Sequence, residues 1–116
     1  VASEALAQPG RIRVLTSRQT HSAAIMLLSR LKNRTGAVRF GQSAADRPNH
    51  YGETNIWVTP NTGLPLIHAS EYYATSSPGD TRPHHAPDFA IPYRFDDYAA
   101  GLDPVLEAAL SYDPET

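Results

Sequence analysis

The chain contains no cysteine. That excludes a disulfide framework and a thiolate metal site, and it fits either redox compartment. No run of about 18 apolar residues occurs, so no segment reads as a membrane span. Positive charge is not in excess: ten Lys and Arg face twelve Asp and Glu, for a formal net charge of -2. A nucleic-acid footprint is clearly basic, so that class of partner is not expected. No secretory signal pattern is visible, and the first residue is Val1, not methionine, which predicts a chain that begins inside a longer polypeptide. Internal repeats and low-complexity segments are also missing.

What is present is 116 residues with 41% hydrophobic content. That is enough for one domain with a small core, and too apolar for disorder. Ile12, Val14 and Leu15 predict a strand over 11–16. Ala24, Leu27, Leu28 and Leu31 fall at i, i+3, i+4 and i+7, one face of a helix that starts near Ser22. Arg30, Lys32 and Arg34 suit the last turn of that helix, and Gly36 suits its C-terminal stop. Residues 37–41 then predict a second strand. The crossover is long enough for a parallel pair.

Residues 43–53 read as a polar loop. A hairpin follows, with strands over 55–59 and 64–70 around the turn Pro60-Asn61-Thr62-Gly63, and Pro65 marks an edge strand. Loop residues 75–88 carry Pro78-Gly79, Pro83 and Pro87 and lead to an extended piece at 89–91. Asp103-Pro104 opens a final helix, with Asp as the cap and Pro at the first helical position.

Ser22 stands where the first strand hands over to the first helix. Capping is the commonest job for serine there, although position 25 is Ile25, not the Glu or Gln of a capping box. The same place suits a nucleophile, because free N–H groups at a helix mouth can hold an oxyanion. None of His21, His50, His68, His84 and His85 has metal-binding spacing. Asp46, Arg47 and Asp80 read as solvated loop charges, and Trp57, Tyr72 and Tyr73 as core or edge packing.

Four stretches in order carry a resemblance. Thr20-His21-Ser22-Ala23-Ala24 is similar to a T-[FA]-S-A-A nucleophile turn. Gly41-Gln42-Ser43-Ala44-Ala45-Asp46-Arg47-Pro48-Asn49 is similar to a G-E-x-T-G-G-x-P-N loop. Pro87-Asp88 and the closing Asp103-Pro104-Val105-Leu106-Glu107-Ala108-Ala109-Leu110 complete the set. The chain thus resembles the C-terminal processing (tail-specific) serine peptidase family, in the branch of tricorn-like proteases and interphotoreceptor retinoid-binding proteins.

The resemblance implies the C-terminal portion of a crotonase-like (caseinolytic-protease-like) layered α/β domain. In it, strand-helix-strand is followed by a β-hairpin and a C-terminal helix. It further implies Ser22 as nucleophile, the Ala23 N–H as an oxyanion donor, and Arg47, Asn49 and His50 in a substrate loop. No cofactor or metal is implied. The partners implied are a polypeptide substrate and the N-terminal remainder of the parent chain, and an extracytoplasmic location is favoured. Arg47 stands 25 residues after Ser22, where the resemblance places a lysine base. Arginine stays protonated and cannot serve. The tricorn-like arrangement instead implies an upstream histidine as base, outside this chain, with Asp80 as the nearest candidate for a supporting acid. Ala44-Ala45-Asp46 in place of Thr-Gly-Gly points to an altered site, and so to the alternative of a ligand- or peptide-binding relative without catalysis.

Overall fold

A computed structural model describes residues 4–115. Its elements are α1 (Glu4–Ala7), β1 (Arg13–Thr16), α2 (Ala23–Arg34), β2 (Val38–Gly41), β3 (Asn49–Val58), β4 (Pro65–Ala74), β5 (Phe89–Ala90), α3 (Phe95–Ala99) and α4 (Pro104–Ser111). The fold is mixed α/β. A three-stranded parallel sheet has the order β1-β2-β5, and β3 and β4 form a separate antiparallel hairpin.

Side chains pack on both faces of the parallel sheet, though Leu15 and Phe89 stay partly exposed. In the β1–β2 register Val14 lies beside Arg39 and Leu15 beside Phe40. On the first of these faces Val14 packs against the buried Ile25, Leu28 and Ala44. On the other, Phe40 stacks on Phe89 at 5.1 Å and meets the edge of Tyr112, just past α4, at 5.4 Å. Arg13 of β1 donates to the carbonyls of Ala109 at 2.7 Å and Leu110 at 3.1 Å, a cation at the negative end of α4. At the other end of α4, Asp103 caps the Val105 and Leu106 N–H groups at 3.1 and 3.0 Å, as its Asp-Pro start predicts.

The short β5 is fixed by an ion pair between the buried Arg39 and the half-exposed Asp88. Arg39 donates to both Asp88 carboxylate oxygens, at 3.0 and 2.6 Å, and its backbone N–H donates to Asp88 at 2.9 Å. The guanidinium holds the Asp88 carboxyl below the usual carboxylate range. Pro87-Asp88 therefore has a structural job: it sets the strand that completes the sheet.

Three expectations need correction. The polar loop ends at Pro48, because β3 begins at Asn49 and β4 runs to Ala74. Asn49 anchors the extra length by donating to Ser77 O at 2.8 Å and accepting from Ser76 N at 3.0 Å. Gly36 does not end α2 in a left-handed conformation; Thr35 ends it in an extended one. Gly36 is small because a Cβ there would lie 2.5 Å from the Ala7 and Gln8 carbonyl oxygens. Trp57 packs in no core. It is 70% exposed, and its neighbours Ile56, Val58, Leu66 and Ile67 are more than half exposed. Tyr72, also exposed, pairs across the strands with Tyr51, and Tyr73 with His50.

The outer hairpin touches little but itself. The radius of gyration is 17.7 Å, against about 13 Å for a compact chain of this length. Both faces at its tip are apolar. Ile56, Val58, Ile67 and Pro65 share one face, and Trp57 and Leu66 the other. No helix among the described residues is long and apolar enough to cross a membrane.

Candidate active site

The turn from β1 into α2 is built by its own hydroxyls. Thr20 Oγ1 accepts from Ser17 N at 3.0 Å, and Ser17 Oγ accepts from Gln19 N at 3.2 Å. These side-chain bonds substitute for backbone pairing in a tight loop. The loop ends on Ser22, whose backbone has φ 55° and ψ -125°. That is the first central conformation of a type II′ turn, which glycine dominates and a serine enters only under strain.

The capping expectation fails here. The Ser22 side chain makes no cap hydrogen bond, and no other residue bonds its hydroxyl among the described residues. Its backbone carbonyl accepts from Ile25 N at 2.8 Å, so the chain still enters the helix properly. The Ser22 N–H donates to Asp46 Oδ2 at 2.6 Å. The next N–H, that of Ala23, has no acceptor among the described residues. An exposed hydroxyl therefore stands on a strained strand-to-helix turn, beside a free N–H at the positive end of a 12-residue helix. Strained strand-to-helix turns of this kind present the nucleophile in several serine hydrolases.

The following loop holds this elbow in place. Gln42 N donates to Thr16 O and Ala45 N to Thr20 O, each at 2.9 Å, and Ala44 N donates to His85 O at 3.0 Å. Asp46 is not the solvated charge its sequence context suggests. Its role depends on a contact spanning 24 positions, which no local pattern reveals.

Beyond Asp46, the chain forms a cleft of about 700 Å³. Arg47, Asn49, His50 and Asp80 line it, together with Tyr51 and Tyr72. The residues singled out from the sequence are thus brought together, with Ser22 joined to them through Asp46 and not lining the cleft itself. Their individual chemistry differs. Arg47 is exposed, with no ion pair among the described residues. Asn49 has both ends of its amide engaged with the 76–77 backbone. His50 is buried, with Nδ1 at 3.4 Å from Pro48 O. Asp80 accepts from Arg82 Nη2 and from the Ser76 hydroxyl, each at 2.6 Å. Arg82 first, then Ser76, holds the Asp80 carboxyl far below the usual range. Its partners are already present, and among the described residues it hydrogen-bonds neither Ser22 nor a histidine.

A second histidine is more unusual. His85 is 4% exposed. Its Nε2 lies 3.3 Å from Ser29 Oγ, and its Nδ1 is buried without a partner among the described residues. Burial first, then the nearby Arg82, Arg39 and Lys32, pushes its pKa down to about 4. Among the described residues no three His, Asp or Glu side chains converge as metal ligands. Compared with known proteins, the chain matches no family model, no curated protein and no solved structure.

Proposed function

We propose that this chain is the C-terminal portion of a crotonase-like catalytic domain of a serine endopeptidase, with Ser22 as nucleophile. One observation carries the proposal: Ser22 is held at positive φ with its hydroxyl free and the Ala23 N–H unpaired beside it. A helix cap needs none of these features; a nucleophile elbow needs all of them. Ser22 Oγ attacks the scissile carbonyl carbon, and its proton passes to a base. The Ala23 N–H donates to the oxygen that gains charge. The amine leaves with that proton, and water then hydrolyses the acyl-serine ester.

No imidazole, amine or carboxylate among the described residues hydrogen-bonds the Ser22 hydroxyl, and Arg47 is fixed as a cation. The base and a second oxyanion donor therefore come from polypeptide outside these 116 residues. The uncovered apolar faces at Ile56, Val58, Ile67 and Trp57 give such polypeptide a surface to pack on. This chain alone hydrolyses nothing.

The test is a fluorophosphonate probe on the complete protein, followed by peptide mapping and the Ser22→Ala variant. Labelling at Ser22, with activity lost in the variant, is the expected result. Unchanged peptide cleavage after Ser22→Ala rules the nucleophile out. Absence of labelling with retained peptide binding favours a non-catalytic binding relative, which the arginine at position 47 also fits.

A further inference from the structure

His85, in the loop at 75–88, is tied to the elbow twice. Its backbone carbonyl accepts from Ala44 N at 3.0 Å. Ala44 is buried with Ile25 and Leu28, two residues before the Asp46 that holds the Ser22 N–H. The His85 ring lies against Ser29, which stands two turns along α2 from Ser22.

The ring ends a chain of hydrogen bonds whose proton positions follow from the acceptor at the far end. The Pro48 carbonyl can only accept, so Thr75 Oγ1 donates to it. With that proton committed, Thr75 Oγ1 accepts from the Ser29 hydroxyl at 3.0 Å. Ser29 Oγ in turn accepts from His85 Nε2 at 3.3 Å. Neutral His85 therefore carries its proton on Nε2, and Nδ1 is a bare lone pair. That atom is buried with no partner among the described residues. The relay joins α2, the end of β4, the Pro48 loop and the 75–88 loop at one buried point.

A second proton has only Nδ1 to go to. There it makes a buried donor without an acceptor, and a buried charge. The charged groups that face the ring are Lys32 of α2, Arg39 of β2, and Arg82 and Asp80 of its own loop. Ser29 and Thr75 bring no charge. Arg39 and Arg82 are paired with Asp88 and Asp80, and Lys32 has no ion pair among the described residues. The surroundings are thus cationic on balance, and repulsion adds to desolvation. The ring reaches water only by leaving its place beside Ser29, and the carbonyl of the same residue then releases Ala44.

We infer that His85 is an acid-released latch on the elbow: a proton on Nδ1 expels the ring, frees Ala44 and slackens the loop that holds Ser22. The inference goes beyond the peptidase proposal and does not require Ser22 to react.

NMR of the chain, titrated from neutral pH to below about 4, tests it. At neutral pH, long-range proton–nitrogen spectra are expected to show His85 protonated on Nε2 and bare at Nδ1. The ring should titrate with a midpoint of about 4. The Ser22, Ala44 and Ala45 amide signals should move with that midpoint, while the α4 signals stay native. Protection of the Ala44 amide, corrected for intrinsic exchange, should fall at least about tenfold across the transition. His85→Gln stays neutral and should remove the transition. The Arg82 side chain is 47% exposed, so Arg82→Gln keeps its fold. Loss of that cation should move the midpoint upward, which a purely packing role would not do. If His85→Gln does not fold, Arg82→Gln still decides. A proton on Nδ1 at neutral pH, elbow amides that stay still while the ring titrates, or an unmoved midpoint in Arg82→Gln overturns the latch. So does loss of the α4 signals together with those of the elbow. The titration reads no chemistry at Ser22, so failure here and failure of the Ser22 labelling experiment are separate results.

Discussion

Ser22 offers a stability test that separates an elbow from a cap. A serine cap replaced by alanine costs about 1 kcal/mol, and replaced by glycine only a few tenths. The elbow reverses that order. Its side chain makes no cap hydrogen bond, so Ser22→Ala removes nothing and should change stability by less than about 0.5 kcal/mol. Glycine adopts φ 55°, ψ -125° without clash. A non-glycine residue held in such a region costs about 1–3 kcal/mol. Glycine in turn loses about 0.5–1 kcal/mol through its freer unfolded chain. Ser22→Gly should therefore stabilise by about 1 kcal/mol net, which raises Tm by about 4 °C in a domain of this size. Urea unfolding with matched thermal scans on the two variants gives the answer. If Ser22→Ala loses about 1 kcal/mol while Ser22→Gly gains nothing, serine is a cap and the elbow argument fails.

Three further perturbations follow from contacts described above. Asp88→Ala leaves the Arg39 guanidinium, 8% exposed, without its partner, and chemical denaturation should show a loss of about 2 kcal/mol. Gly41→Ala puts a methyl group 2.2 Å from Thr16 O at a positive φ, so a loss of about 3 kcal/mol or more is expected in the same assay. His85 titrates at about 4 in the folded chain against 6.5 when free, so the unfolded chain binds the extra proton between those values. Its contribution is complete above pH 6.5 and is lost as pH falls toward 4. Stability measured across that window should drop by about 2 kcal/mol once solvent screening is allowed for, and His85→Gln should flatten the drop.

The parts legible in the sequence were those governed by local rules. The 3.6-residue period over 24–31 and the Asp103-Pro104 start needed only near neighbours, and both α2 and α4 stand where those signals put them. The parallel pairing of β1 with β2 followed from the length of the crossover. What escaped depends on distant partners. The inner half of β3 is held by Asn49 reaching across to Ser76 and Ser77. The register of β5 rests on Arg39 and Asp88, 49 positions apart. Gly36 looked like a helix stop because glycine serves there often, yet its small size answers to Ala7 and Gln8. Ser22 was ambiguous for a deeper reason. A cap and an elbow place the same residue at the same junction, and only the backbone angles distinguish them.

Those angles persist because the surroundings hold them. Ser22 cannot relax while its N–H is tied to Asp46 and Thr20 O to Ala45, and the same loop is tied to His85 through Ala44. The tie to Asp46 also limits the chemistry. With the Ser22 N–H already engaged, the Ala23 N–H is the one donor the described residues offer an oxyanion at the elbow. One missing donor costs about a hundred- to thousandfold in rate, so a working peptidase needs a second. Asp46 is not placed as the base: its Oδ2 accepts the Ser22 N–H, and it makes no hydrogen bond to the Ser22 hydroxyl. On the peptidase proposal, base and second donor must therefore arrive together on other polypeptide. The uncovered hairpin, apolar on both faces of its tip, offers that polypeptide a place to bind.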